Sequence, residues 1–333
     1  MDRLARGRVF VYTKASDYHE GSGAMQVSEA YAKLCSVMGK SHVKRDEPMS
    51  RHTSFKIGGP ADLLVSPETS EQVLYCYRTG RTYGLPVFLM GNGSNLLVGD
   101  AGIRGMVLKT AGGYDDIAFD GERVRVQSGM LLSKLTNTAL RHGLTGLEFA
   151  CGIPGSVGGA VVMNAGAYGG QMADVVERVT AYDPETDTVR DFSKDELDYG
   201  YRHSVFRDRD MIVLEATLRL IQGDAARSKE TVKDLNCRRR EKQPLELPSA
   251  GSVFKRPEGY YAGTLIEESG CKGMRVGDAM VSEKHAGFIV NTGHATAKNV
   301  LDLIEKVRQT VHEKSGVWLE PEIHMVGEMP AEE

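Results

Sequence analysis

The feature that most restricts this chain is an almost uncharged, glycine-dense run near its middle. From Gly152 to Gly170 it reads Gly-Ile-Pro-Gly-Ser-Val-Gly-Gly-Ala-Val-Val-Met-Asn-Ala-Gly-Ala-Tyr-Gly-Gly, seven glycines in nineteen residues. Flexible linkers are rich in Gly and Ser but polar. Here the residues between the glycines are apolar, so the run belongs inside a folded domain. Two readings account for it equally well. Glycines let backbone approach a flat, extended ligand where side chains would clash, or they let a sheet corner pack tightly.

The flanking text is a mixture of strands and helices. Ala61–Val65 and Pro86–Met90 are short apolar runs that predict strands. Ser70 can cap a helix through about Tyr83, which Gly84 stops. Asp120-Gly121 between Ile117–Phe119 and Val124–Val126 predicts a hairpin. A helix is expected from Leu132 to His142, and strands at 175–182, 188–192 and 211–220. A charged helix over about 224–241 then leads into a different texture. It holds a helix near 263–269, a longer one near 296–315 with Leu301, Ile304, Val307 and Val311 at helical spacing, and a last strand over 322–326. The sequence break lies near 222–243. Modules at 25–110, 111–222 and 223–327 are expected, with a tail at 328–333. The chain of 333 residues is long enough for two or three domains. Residues 1–24 are polar and without periodicity, so they are expected to be a disordered extension, with Met25 as a candidate natural start.

Charge and cysteine content exclude several classes. Lys and Arg number 41 against 45 Asp and Glu, a net charge of −4. Nucleic-acid binders usually carry a basic surplus. The five cysteines include no CxxC pair, which argues against a disulfide framework or a structural zinc. No metal site is expected. No apolar run approaches the roughly 18 residues of a membrane span, and Val9–Tyr12 is too short for a signal-peptide core. A cytoplasmic protein without membrane insertion is expected.

Five further segments could carry chemistry. Gly91-Asn92-Gly93-Ser94-Asn95 follows a strand, and such loops aim backbone N–H groups at anions. It is neither a Walker A loop nor a dinucleotide fingerprint, since no Gly-Lys-Ser/Thr follows and Leu96 replaces the third glycine. In Tyr201-Arg202-His203-Ser204-Val205-Phe206, an arginine among aromatics could clamp a carboxylate or phosphate. In Pro248-Ser249-Ala250-Gly251-Ser252-Val253-Phe254-Lys255 two hydroxyls bracket a turn. It lacks the hydrolase elbow pattern, so Ser252 suits proton donation better than attack. Glu320-Pro321-Glu322 could open a strand with a carboxylate toward a cleft, and the basic run Arg238–Lys242 could grip phosphates. Each of these, alone, is more often an ordinary turn or a solvated surface.

Taken in this order and spacing, the segments resemble the UDP-N-acetylenolpyruvoylglucosamine reductases from about Thr53 to Gly327, including Val281–Asn291. The likeness is to the shorter, second type of that family. It implies an α+β fold with a two-subdomain FAD-binding module of the vanillyl-alcohol-oxidase (PCMH) type and a C-terminal α+β substrate domain. It implies non-covalent FAD, NADPH as hydride donor, and UDP-N-acetylglucosamine enolpyruvate as the molecule reduced. By the resemblance Gly91, Asn92, Gly93, Ser94 and Asn95 would cradle FAD. So would Gly152, Ile153, Pro154, Gly155, Ser156, Gly158, Gly159, Asn164, Gly166, Ala167 and Tyr168. Arg202, Ser252 and Glu322 would be catalytic, and Tyr201, Lys242 and Lys255 would contact substrate. Arg202 would hold the substrate carboxylate, Ser252 would give the proton, and Glu322 would help most either protonated or orienting another donor. A monomer or weak dimer is expected. Two alternatives are a flavin-linked sugar-lactone or alcohol oxidase on the same scaffold, which has no need of a protonating Ser252, and a non-catalytic nucleotide-sugar binder.

Overall fold

The computed structural model describes residues 20–329; residues 1–19 of the expected extension and 330–333 of the tail lie outside the described residues. Helix α1 spans Glu20–Met38, beginning five residues ahead of Met25. Val27, Ala30, Leu34 and Met38 recur at helical spacing and are all buried, so this stretch docks on the first sheet.

That sheet is built from β1 (Val43–Pro48), β2 (Pro60–Val65), β3 (Val87–Met90) and a strand at Ile103–Lys109, in the order β1, β2, Ile103–Lys109, β3. β1 pairs antiparallel with β2, while the other two junctions are parallel. Parallel neighbours need a crossover, and α2 (Ser70–Thr82) provides it; its cap is Thr69, one residue before the expected Ser70, with a side chain that accepts from the Gln72 backbone N–H. Ile103–Lys109 and β1 were not expected. The first is buried on both faces and shows no alternation. The second is mostly charged, with Lys44, Arg45 and Asp46 exposed at an edge.

A second, five-stranded antiparallel sheet runs in the order Thr188–Ser193, Val176–Asp183, Ile212–Arg219, Arg123–Gln127, Ile117–Asp120. Gly121, with φ +58°, turns the expected hairpin. α3 (Leu132–Arg141) and a short helix at Val157–Val162 cover one face, over a core that includes Leu135, Val161, Val179 and Phe206. The short helix lies inside the glycine-rich run. Its first amides are held from outside: Val157 N–H donates to Met130 O at 2.8 Å and Gly158 N–H to Ser128 O at 2.7 Å.

The long helix Ala225–Lys242 leads to a third sheet, ordered Ser249–Ser252, Phe288–Asn291, Ala279–Val281, Arg275–Val276 and packed on helices Ala262–Glu268 and Ala297–Ser315. The last strand does not join it. His324–Val326 crosses back and pairs in parallel with β4 (Leu96–Val98), residue for residue: His324 with Leu96, Met325 with Leu97, Val326 with Val98. Two more contacts fasten the third domain to the first. The Asp100 carboxylate accepts from the Ala297 and Lys298 amides at 2.7 and 3.1 Å, capping the long C-terminal helix. Leu97, Phe55 and Ile57 are buried within the core of the third domain.

Leu97 is fully buried at this junction. Leu97→Ala is expected to destabilise the protein by about 2–5 kcal/mol. Chemical denaturation checks the loss, and hydrogen exchange should show it concentrated in residues 249–326.

Candidate active site

A cleft of about 460 Å³ lies where the three sheets meet. One wall is the loop Gly91–Asn95, which leaves the end of β3. The glycines here are dictated by contacts. A β-carbon on Gly91 would stand 2.1 Å from Ser156 Oγ, and one on Gly93, with φ +66°, 2.2 Å from His52 O. Asn92 Nδ2 donates to Pro154 O at 2.6 Å, tying this loop to the glycine-rich run.

The two readings of that run are both realised, at different glycines. Gly158, Gly166 and Gly170 are packed against protein: added β-carbons would meet Ser128 Cβ at 2.8 Å, Gly170 O at 2.7 Å and the Phe149 ring at 2.7 Å. Gly155 and Gly159 line the cleft and are open, with no neighbour nearer than 3.8 Å. Ile153, Pro154, Ser156, Gly166 and Ala167 also line it. Gly152 instead lies under the Arg239 side chain, 2.9 Å from where its β-carbon would be. Tyr168 is exposed, at φ +53°, and does not reach the lining.

Asn164 was expected beside a cofactor and has a different task. It is buried, and its Nδ2 donates to Gly200 O at 2.9 Å and Gln171 Oε1 at 3.1 Å, while its Oδ1 accepts from Ala173 N at 2.9 Å. Gly200 opens the tight turn Gly200–His203, closed by paired backbone bonds of 3.1 and 3.3 Å. Asn164 thus supports the turn that carries Arg202. Arg202 itself has φ +55°, a conformation that costs a side-chain-bearing residue about 1–3 kcal/mol and tends to mark function. Ser204 Oγ donates to Val162 O at 2.7 Å and Arg207 Nη1 donates to Arg202 O at 2.7 Å, so neighbours on both sides hold the turn in place.

The turn delivers Arg202 to Glu322: Nε donates to Oε1 at 2.5 Å, with both side chains largely shielded from solvent. This uses one of the five guanidinium N–H groups. Glu322 accepts here, so of its two expected roles the geometry displays the orienting one. Glu322 is in turn placed by backbone. Its N–H donates to Val253 O at 2.7 Å and its carbonyl accepts from Asn95 Nδ2 at 3.3 Å. Val253 follows Ser252, whose strand pairs with Phe288. Arg202, Ser252 and Glu322, far apart in sequence, therefore line one cleft together with Gly91–Asn95.

The three expected substrate residues stand outside the lining. Tyr201 is exposed beside Arg202, whose guanidinium lies 5.2 Å from its ring centre. Lys242 is exposed at a helix end, and Lys255 pairs with Glu320. Several lining residues were missed. Ser128 has a buried hydroxyl without a protein partner, as has the expected Ser156, and the Gln243 amide oxygen is likewise unpartnered. Arg239 was within the basic run, but nothing singled it out. His324 had a signal that went unused: it lies two residues after Glu322, and period two puts both on one side of a strand. Its ring nitrogen Nε2 lies 3.3 Å from Met163 Sδ. Burial pushes the imidazole down to about 4, with Arg207 and Lys255 adding in the same direction.

Comparison with known proteins shows the family. A model of the UDP-N-acetylenolpyruvoylglucosamine reductase C-terminal domain matches residues 243–326, and a model of an FAD-binding domain matches 61–192. The chain is 50% identical over 304 residues to the UDP-N-acetylenolpyruvoylglucosamine reductase of Alkaliphilus oremlandii, covering 91% of this chain and 100% of that one. The chain belongs to the UDP-N-acetylenolpyruvoylglucosamine reductase family. It is 51% identical over 292 residues to the Clostridium botulinum (strain Hall) reductase, covering 88% and 95%. The crystal structure of the Thermus caldophilus reductase superposes with a TM-score of 0.73 at 38% identity, covering 85% of this chain and 98% of that one. The reductase fold is accordingly the expected one, a two-subdomain α+β FAD-binding module with a C-terminal α+β domain. Family membership sets aside the oxidase and the non-catalytic binder. The residues present suit FAD: Ser128 and Ser156 offer unpartnered hydroxyls, and Gly155 and Gly159 leave backbone open to the cleft.

His324 also gives a pH signature. As pH falls below about 6.5, unfolded chains protonate this imidazole while folded ones refuse until about 4. Stability is therefore present above that window and lost across it as pH falls. His324→Gln is expected to flatten this part of the profile, measured by denaturant unfolding at a series of pH values.

Proposed function

We propose that Arg202, Glu322 and Ser252 form the charge-stabilising and protonating end of this reductase, opposite the loops that hold the flavin. The enzyme is an FAD-dependent oxidoreductase of peptidoglycan precursor synthesis, which reduces UDP-N-acetylglucosamine enolpyruvate to UDP-N-acetylmuramate with NADPH. Bound FAD would supply the hydride chemistry that links NADPH to the vinyl carbon of the enol ether. Gly91–Asn95, Ile153–Ser156, Gly158, Gly159 and the missed Ser128 are the residues that would hold it.

The observation that carries the proposal is the Arg202–Glu322 pair at 2.5 Å beside Ser252. Reduction of the vinyl carbon leaves negative charge on the neighbouring carbon and its carboxylate. Arg202, fixed in direction by Glu322, offers a planar fork for that carboxylate and lowers the energy of the charged state. Ser252 then breaks its O–H bond to protonate the carbon and recovers its proton from solvent. A hydroxyl is a weak acid, but an incipient carbanion is a strong base, so the transfer is downhill enough to work. Lys242 and Lys255, by their charge, and Tyr201, by its hydroxyl, suit contact with the nucleotide-sugar diphosphate from outside the cleft lining. Among the described residues no helix is long and apolar enough to cross a membrane. Nucleotide-linked substrates and NADPH support a cytoplasmic site of action.

Ser252→Ala is expected to retain FAD and to bleach with NADPH at the normal rate, while reoxidation by the enol ether falls by about 10²–10⁴-fold. Loss of bleaching instead would remove Ser252 from the proton-donor role. Arg202→Lys is expected to cost about 10²–10³-fold in the same second half-reaction, because a point charge replaces a fork. Stopped-flow absorbance separates the two halves.

A further inference from the structure

His285 lines the cleft and has no part in the mechanism above. It sits in the turn Ser282–Gly287, which is tied to the Ser252 strand twice: Val253 N–H donates to Gly287 O at 2.9 Å, and Ser252 pairs with Phe288. The turn is rigid from within, since Ser282 Oγ accepts from the Lys284 and His285 amides at 3.1 and 3.3 Å. Gly287 separates the imidazole from the hydroxyl. A β-carbon there would lie 3.1 Å from His285 Cε1, 3.2 Å from its Nδ1 and 3.5 Å from Ser252 Oγ. Because Gly287 has no side chain, the ring and the hydroxyl flank one small open space, narrow enough for one water to span.

The tautomer is set by the backbone. Gly287 N–H donates to His285 Nδ1 at 3.1 Å, so in the neutral ring Nδ1 is the acceptor and Nε2 bears the hydrogen. Burial pushes this histidine below its ordinary value. The charged groups acting on it are Glu267, from helix Ala262–Glu268, and Lys272 just beyond it, and they pair with each other at 2.6 Å. The ring is held edge-to-face against Phe288, 4.9 Å between centres. Ser252 Oγ, meanwhile, bonds only at 3.3 Å to Phe254 O, a long contact that points its hydrogen back along its own chain.

We propose that His285 is a positioning residue for the proton transfer: its neutral imidazole donates Nε2–H through one water to Ser252 Oγ. That bond turns the hydroxyl hydrogen toward the substrate carbon and stabilises the charge the oxygen acquires as its O–H bond breaks. The inference rests on Ser252 as the proton donor.

The test uses the FAD-loaded full chain. His285→Phe removes the donor, while His285→Gln keeps an amide N–H. With Phe, reoxidation by the enol ether is expected to slow roughly 10- to 100-fold, the loss of one hydrogen bond to a group gaining charge. Its solvent deuterium isotope effect should rise, with bleaching by NADPH unchanged. Gln should restore reoxidation to within a few-fold of the parent. Gly287→Ala, whose methyl fills the gap without demanding an unusual φ, should reproduce the Phe effect. In the parent, ¹⁵N spectra should show His285 neutral with hydrogen on Nε2 at pH 7. Phe and Gln variants equally slow, a parent-like isotope effect in the Phe variant, or a charged His285 at pH 7 would overturn the proposal. If Ser252→Ala reoxidises normally in the same assay, it is the proton-donor reading that fails, and the role of His285 with it.

Discussion

The three-residue parallel ladder between Leu96–Val98 and His324–Val326 is the constraint on which the rest of the site depends. Leu96 follows directly from Gly91–Asn95, and His324 follows two residues after Glu322. Register along this ladder therefore fixes how far the Gly91–Asn95 loop lies from the carboxylate that pairs with Arg202. A slip by one residue would turn His324 away from the cleft, because side chains in a strand alternate, and would shift Glu322 just before it. The junction is protected by burial of Leu97 with Phe55 and Ile57 in the core of the third domain, and by Asp100 capping the long C-terminal helix.

The electrostatics divide the cleft between fixed charge and neutral polarity. Arg202 and Glu322 form a paired, shielded couple, so neither charge is buried alone. Around them His324 and His285 are driven toward the neutral form by burial, so the positive charge lining the cleft comes from arginines, Arg202 among them. Holding Arg202 at positive φ is unfavourable locally, and Asn164, Ser204 and Arg207 make that conformation the stable one. This division of labour explains why a residue expected to touch the cofactor, Asn164, is needed one layer further back.

Much of the fold was legible because its elements announce themselves locally. The hairpin around Gly121, the helix opened by Thr69 and the periodic helix at Ala297–Ser315 obey turn, cap and period rules that need no tertiary partner. What escaped depends on tertiary contact. Val157–Val162 is helical in spite of two glycines because Ser128 and Met130 hold its first amides. Ile103–Lys109 is buried on both faces and shows no alternation. At the site, Arg202, Ser252 and Glu322 emerged from motif resemblance, and the fold brings all three to one cleft. Ser128 and Gln243 carry no local signature at all. Only the folded chain reveals that their polar atoms are buried without a partner. Tyr201, Lys242 and Lys255 have the right chemistry for a diphosphate but stand outside the cleft lining, a distinction that no linear pattern encodes.

The central claim is that one cleft takes hydride from NADPH and passes it, with a proton, to the enol ether. The most direct test is the visible spectrum of the purified, FAD-loaded protein under anaerobic conditions, with NADPH added first and UDP-N-acetylglucosamine enolpyruvate second. The account predicts a flavin band that bleaches with NADPH and returns on adding the enol ether without oxygen, with UDP-N-acetylmuramate formed in equal amount. A band that bleaches and returns only when oxygen is admitted, or a protein that takes up no FAD, would contradict it.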